Sequence, residues 1–98
     1  MEIVRVDIIN GNEDSVNYKN MSSDVIITLD GDYKYIASFI TYEKLQDLIL
    51  TNVKTGAYLS GRYFWSKNMV LVDSCKNVRP IIDFMIDQGD FQLIFQKM

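Results

Sequence analysis

Ninety-eight residues, 48% of them hydrophobic and 23% charged, suffice for a single α+β domain, 1–98, with a sizeable core, and leave no length for a second domain. The formal net charge is −3, with no histidine and one cysteine. That composition excludes histidine-activated nucleophiles, imidazole-bound metals, an internal disulfide and a metal site built from several thiolates, so no cofactor or metal and no enzyme activity is expected.

Ile3–Ile9, IVRVDII, reads as a strand with Val4, Val6 and Ile8 on one face and Arg5 and Asp7 on the other. Residues 10–23 are rich in Asn, Ser and acids, which fits a long exposed connection. DVIITL and YKYIASFI flank Asp30-Gly31-Asp32, the signal of an antiparallel hairpin turning at Gly31. Thr41 then caps a helix carrying Tyr42, Leu45, Leu48, Ile49 and Val53 as an apolar stripe, with Gly56 as its stop. Met69–Val72, MVLV, has no polar face and reads as a strand buried on both sides, or as a central strand of the sheet.

The clearest periodicity follows, with Val78, Ile81, Ile82, Met85 and Ile86 at helical spacing behind the N-cap candidate Asn77, and Pro80 in the first turn. Gly89 ends that helix, and Asp90 is placed to cap another bearing Phe91, Ile94, Phe95 and Met98; a strand through Phe91, Leu93 and Phe95 is the alternative. The expected order is β-β-β-α-β-α-α: a mainly antiparallel sheet of about four strands with two to three helices on one face. The apolar runs fall far short of the ~20 residues a spanning helix needs. The N-terminus lacks the pattern of a secretory signal, so a cytoplasmic location without membrane partners is expected.

Charge is unevenly spread. Seven acids oppose two bases over residues 1–32, whereas five bases oppose two acids over residues 33–72. The basic excess coincides with SGRYFWSKNMVLVD, where Arg62, Tyr63, Phe64, Trp65 and Lys67 gather the residue types that stack on bases or anchor protein interfaces. Strand alternation pairs Arg62 with Phe64 and Tyr63 with Trp65, which makes one pair core and the other rim, with Phe64 or Trp65 the candidate for burial.

Other acidic groups fit bland roles. NGNED and DGD resemble fragments of calcium loops but complete no such loop. Asp83 and Asp87 lie opposite the Ile82–Ile86 stripe and face water. Cys75, beside Lys76 at a strand-to-helix junction, reads as a small packing residue, since no histidine is present to activate it.

The YFW-x3-MVLV segment and the GDF-x3-F C-terminus resemble a set of small bacterial cytosolic proteins, over about half of the chain. The resemblance implies a small bacterial protein and transfers no catalytic residue. Together these features point to a non-enzymatic protein-binding module, most concretely an immunity-type or inhibitory protein blocking a basic partner. In that reading Glu13 and Asp14 steer, aided by Asp24 and Asp30, while Tyr18 and Met21 anchor. The alternatives are binding of an anionic ligand or single-stranded nucleic acid through Arg62, Tyr63, Trp65 and Lys67, or a homo-oligomeric accessory protein.

Overall fold

The computed structural model describes residues 2–9 and 17–98. Its centre is the hairpin of β2 (Ser22–Leu29) and β3 (Lys34–Thr41), antiparallel with Val25 opposite Ala37 and Ile27 opposite Tyr35. Gly31 and Asp32 take positive φ, 85° and 63°, and Leu29 N–H donates to the Tyr33 carbonyl at 2.7 Å to close the turn. β1 (Ile3–Ile9) joins β2 antiparallel, and β4 (Met69–Val72) joins β3 parallel. The α+β class with a mainly antiparallel sheet therefore holds.

Alternation sends Val25, Ile27 and Leu29, Ala37 and Phe39, and Val70 and Val72 to one face of the sheet. α3 (Arg79–Gln88) and α4 (Asp90–Ile94) cover that face. Val78, Ile82 and Met85 are buried and Ile81 and Ile86 pack beside them, as the helical spacing requires. Phe91 stacks on Phe95 at 4.5 Å, while Tyr35 meets Phe91 edge-on at 5.4 Å and Phe39 meets Phe95 at 6.0 Å. This aromatic ladder fixes α4 against β3.

Several local expectations change. A register shift between Ile3 and Arg5 turns Ile3 into the core and Val4 out to solvent, so Val4 does not share a face with Val6 and Ile8. β4 lies at the end of the order β1-β2-β3-β4 instead of centrally, with Val70 and Val72 buried and Leu71 exposed. α3 begins behind Val78, with no side-chain cap from Asn77. The C-terminal segment divides: α4 stops after Ile94, and β5 (Gln96–Lys97) pairs with Tyr35 and Ile36. β4 reaches only Ser38–Thr41 of β3, so β5 satisfies backbone groups that β4 leaves open.

α1 (Tyr42–Thr55) grows directly out of β3. Thr41 is fully buried; its Oγ1 accepts from Lys44 N–H at 3.2 Å and Met21 N–H at 3.1 Å, and its own N–H donates to the Met21 carbonyl at 3.0 Å. Gly56, with φ 83°, ends the helix by donating to the Asn52 carbonyl. Thr41→Val keeps the shape but strands the buried Met21 N–H and the half-buried Lys44 N–H, so it should destabilise the fold by about 2–3 kcal/mol in urea unfolding, whereas Thr41→Ser should recover most of that loss.

Candidate functional site

α1 stands outside the helical layer. None of its residues joins the core under α3 and α4, and its one buried side chain is the polar Asn52, whose Nδ2 has no hydrogen-bond partner among the described residues. Of the stripe that the sequence marks as apolar, Leu45, Leu48 and Ile49 are half-buried while Tyr42 and Val53 are 58% and 54% exposed, and Leu50, outside the stripe, is exposed as well. A shallow hollow lies on this surface between Tyr42, Glu43, Leu45, Gln46 and Ile49. Along one flank the Asn20 amide donates to Glu43 at 3.2 Å and Asp47 at 2.7 Å, which positions both carboxylates while leaving their charge in place.

After Gly56 the chain makes a left-handed turn, α2 (Ala57–Gly61), in which Tyr58, Leu59 and Ser60 have φ of 52°, 54° and 56°. Gly61 ends the turn at φ 79°, and a Cβ there would lie 2.7 Å from Val53 Cγ2 and 3.0 Å from the Ile49 carbonyl oxygen. Only glycine permits that approach, which lays the turn against α1. Each left-handed residue costs about 1–2 kcal/mol. Aromatic packing offsets part of this: the Tyr58 ring meets Tyr63 edge-on at 5.3 Å and Phe64 at 5.2 Å.

The consequence is a displayed aromatic row. Phe64 is half-buried beneath Tyr58, whereas Tyr63 is 56% and Trp65 63% exposed, so the expected division into a core pair and a rim pair does not occur. Arg62 and Lys67 are exposed too, and neither forms an ion pair with another described residue. Residues 62–68 form no strand; they follow a helical turn, and the period-two alternation assumed for them has no sheet to act on.

The remaining candidates are dispersed. Glu13 and Asp14 lie outside the described residues. Tyr18 is exposed, but Met21 is buried in the core and is unavailable as an anchor. Asp24 is exposed and accepts from the Ser38 hydroxyl at 3.1 Å on the sheet face opposite α3. That face carries a crevice of ≈350 Å³ where Ser22, Asp24, Ser38 and Ser66 meet Ile40 and Leu48. Among its described lining residues the one side chain that could act as a base is Asp24, hydrogen-bonded to the Ser38 hydroxyl. Asp83 pairs with Arg79 at 3.5 Å in solvent. Among the described residues, no group of three or more His, Cys, Asp or Glu side chains is arranged to hold a metal, and no helix is long and apolar enough to cross a membrane.

Cys75 is fully buried at the β4-to-α3 junction, its N–H donating to the Tyr18 carbonyl at 2.8 Å. Burial pushes its thiol above the ordinary value of 9.0. No family model matches the chain, and no curated protein or solved structure matches it significantly.

Two outcomes follow from this geometry. Leu59→Gly removes a strained side chain at an exposed position and should stabilise the fold by up to about 1 kcal/mol in urea unfolding. The Cys75 proton is held more tightly in the native state than in the unfolded chain, so its contribution is full below about pH 9 and is lost as pH rises through that value toward the raised native one. Between about pH 8 and about pH 10 the urea midpoint of the wild type should therefore fall more steeply than that of Cys75→Ala. Parallel slopes would contradict the assignment.

Proposed function

We propose that this chain is a non-enzymatic protein-binding module whose contact surface centres on Tyr63 and Trp65, with Arg62 and Lys67 on its rim. The supporting observation is that both large aromatics are more than half exposed while a glycine-dependent, strained turn holds the segment that bears them against α1. Trp, Tyr and Arg dominate the energetics of protein interfaces because they bury much area with little loss of side-chain entropy. A segment held in place also costs less to order on binding.

The narrower reading, an inhibitor that blocks a basic partner, draws support from the net charge of −3 and from the exposed carboxylates Glu43 and Asp47 on α1. Single-stranded nucleic acid is the second reading, favoured by the joint exposure of Arg62, Trp65 and Lys67.

Affinity capture by the tagged chain, compared with its Tyr63→Ala/Trp65→Ala variant and performed with and without nuclease, separates these readings. A protein bound stoichiometrically by the wild type, insensitive to nuclease and retained at least about tenfold less by the variant, supports the protein-binding module. Nucleic acid released by salt and lost in the variant supports the second reading. Equal capture by both forms overturns the assignment of this surface.

A further inference from the structure

β1 is an edge of the sheet. Among the described residues it pairs with β2 alone, so the backbone N–H and C=O groups along its other side have no strand to meet there. Tyr18, among the next described residues, lies across the sheet beyond β4, its carbonyl accepting from Cys75 N–H. Along β1, Arg5, Asp7 and Ile9 share the face turned away from α3, and the bulge adds Val4 to it, while Val6 and Ile8 pack on the core side. Arg5 Nε donates to Asp7 Oδ1 at 2.9 Å, with the two side chains 71% and 33% exposed. Val4 and Ile9, at the two ends, are both more than half exposed.

We propose that this edge pairs with the same edge of a second copy of the chain, β1 antiparallel to β1 about a two-fold axis through Val6. An antiparallel two-fold between strands stands perpendicular to the sheet, so it keeps α3 and α4 of both copies on one side of a continuous sheet. Because opposed residues must share a face, the axis centres on a residue and its own counterpart, and the choice of centre decides the charges. At Arg5 it opposes arginine to arginine, at Asp7 aspartate to aspartate, and at Ile8 it leaves Asp7 against Ile9. At Val6 it sets Arg5 of each copy opposite Asp7 of the other. Together with the Arg5–Asp7 pair within each chain, this makes a ring of four alternating charges. The same register brings Val4 of one copy diagonally toward Ile9 of the other on that face, and Val6 against Val6 on the core side. Read antiparallel about Val6, the complement this edge calls for is its own sequence, which makes a second copy the occupant. The bulge confines the regular part of the edge to Arg5–Ile9, and the two-fold uses that part up, so association through it closes at two. The pairing uses neither Tyr63 nor Trp65 and stands or falls separately from the proposed function.

Sedimentation equilibrium from micromolar to millimolar protein provides the test, with circular dichroism confirming that each variant is folded. The wild type should dimerise. Arg5→Asp makes the seam wholly acidic and Asp7→Arg makes it wholly basic. Each variant alone should self-associate at least about tenfold more weakly, since symmetry counts every reversed contact twice. The double variant Arg5→Asp/Asp7→Arg restores the alternation and should dimerise within about threefold of the wild type, as should an equimolar mixture of the two single variants. Amide hydrogen exchange on the wild type locates the contact without any variant: alternate β1 amides, those pointing away from β2, should exchange more slowly as concentration rises. A wild type monomeric at millimolar concentration overturns the proposal. Single variants that dimerise like the wild type, a double variant that stays monomeric, or concentration-dependent protection that spares β1 overturn it equally.

Discussion

A single buried hydroxyl, that of Thr41, joins the parts of this molecule. It is the last residue of β3, the cap of α1, and the point where Met21 is held just before β2 begins. β3 also pairs with β2, β4 and β5, so whatever fixes its end fixes the sheet relative to the helix that follows. The hydroxyl accepts from the buried Met21 N–H and the half-buried Lys44 N–H, and an orphaned buried donor costs more than the bond itself contributes.

The two halves beyond that joint differ in how they are stabilised. On one side the sheet buries aliphatic side chains under α3 and α4, and the ladder of Tyr35, Phe91, Phe95 and Phe39 interlocks strand and helix. On the other side, α1 inserts no residue into that core, and its one buried side chain is an asparagine whose amide nitrogen finds no partner among the described residues. α1 is held through its cap, through Asn20, and through the turn that Gly61 lays against it. Tyr42, Leu50 and Val53 consequently remain exposed on it.

The absence of histidine and the depth of Cys75 remove two groups that often perform chemistry near neutral pH, and in the sheet-face crevice the Ser38 hydroxyl is hydrogen-bonded to the Asp24 carboxylate. Exposed aromatic and apolar side chains carry the distinctive chemistry instead. Their display follows from backbone geometry: without the left-handed turn at Tyr58–Ser60, the segment bearing Tyr63 and Trp65 would not fold back along α1.

Local chemistry determined much of this fold. The Asp-Gly turn, the Thr41 cap, the Gly56 and Gly89 stops and the Val78–Ile86 stripe each act within a few residues, so they are legible from the chain alone. Arg62, Tyr63, Trp65 and Lys67 could also be singled out by residue type. Whether those side chains were buried depended on a sheet pairing that residues 62–68 never make. The apolar stripe of α1 poses the same problem, because 3.6-residue periodicity reveals an apolar face without saying whether the chain itself supplies the surface that covers it. For α3 it does, and for α1 it does so only in part, leaving Tyr42 and Val53 exposed while Leu45, Leu48 and Ile49 are half-buried. Tertiary structure decided that difference, since the bulge in β1, the placement of β4 at an edge and the pairing of β5 all depend on which distant backbone groups remain unpaired once the hairpin has formed.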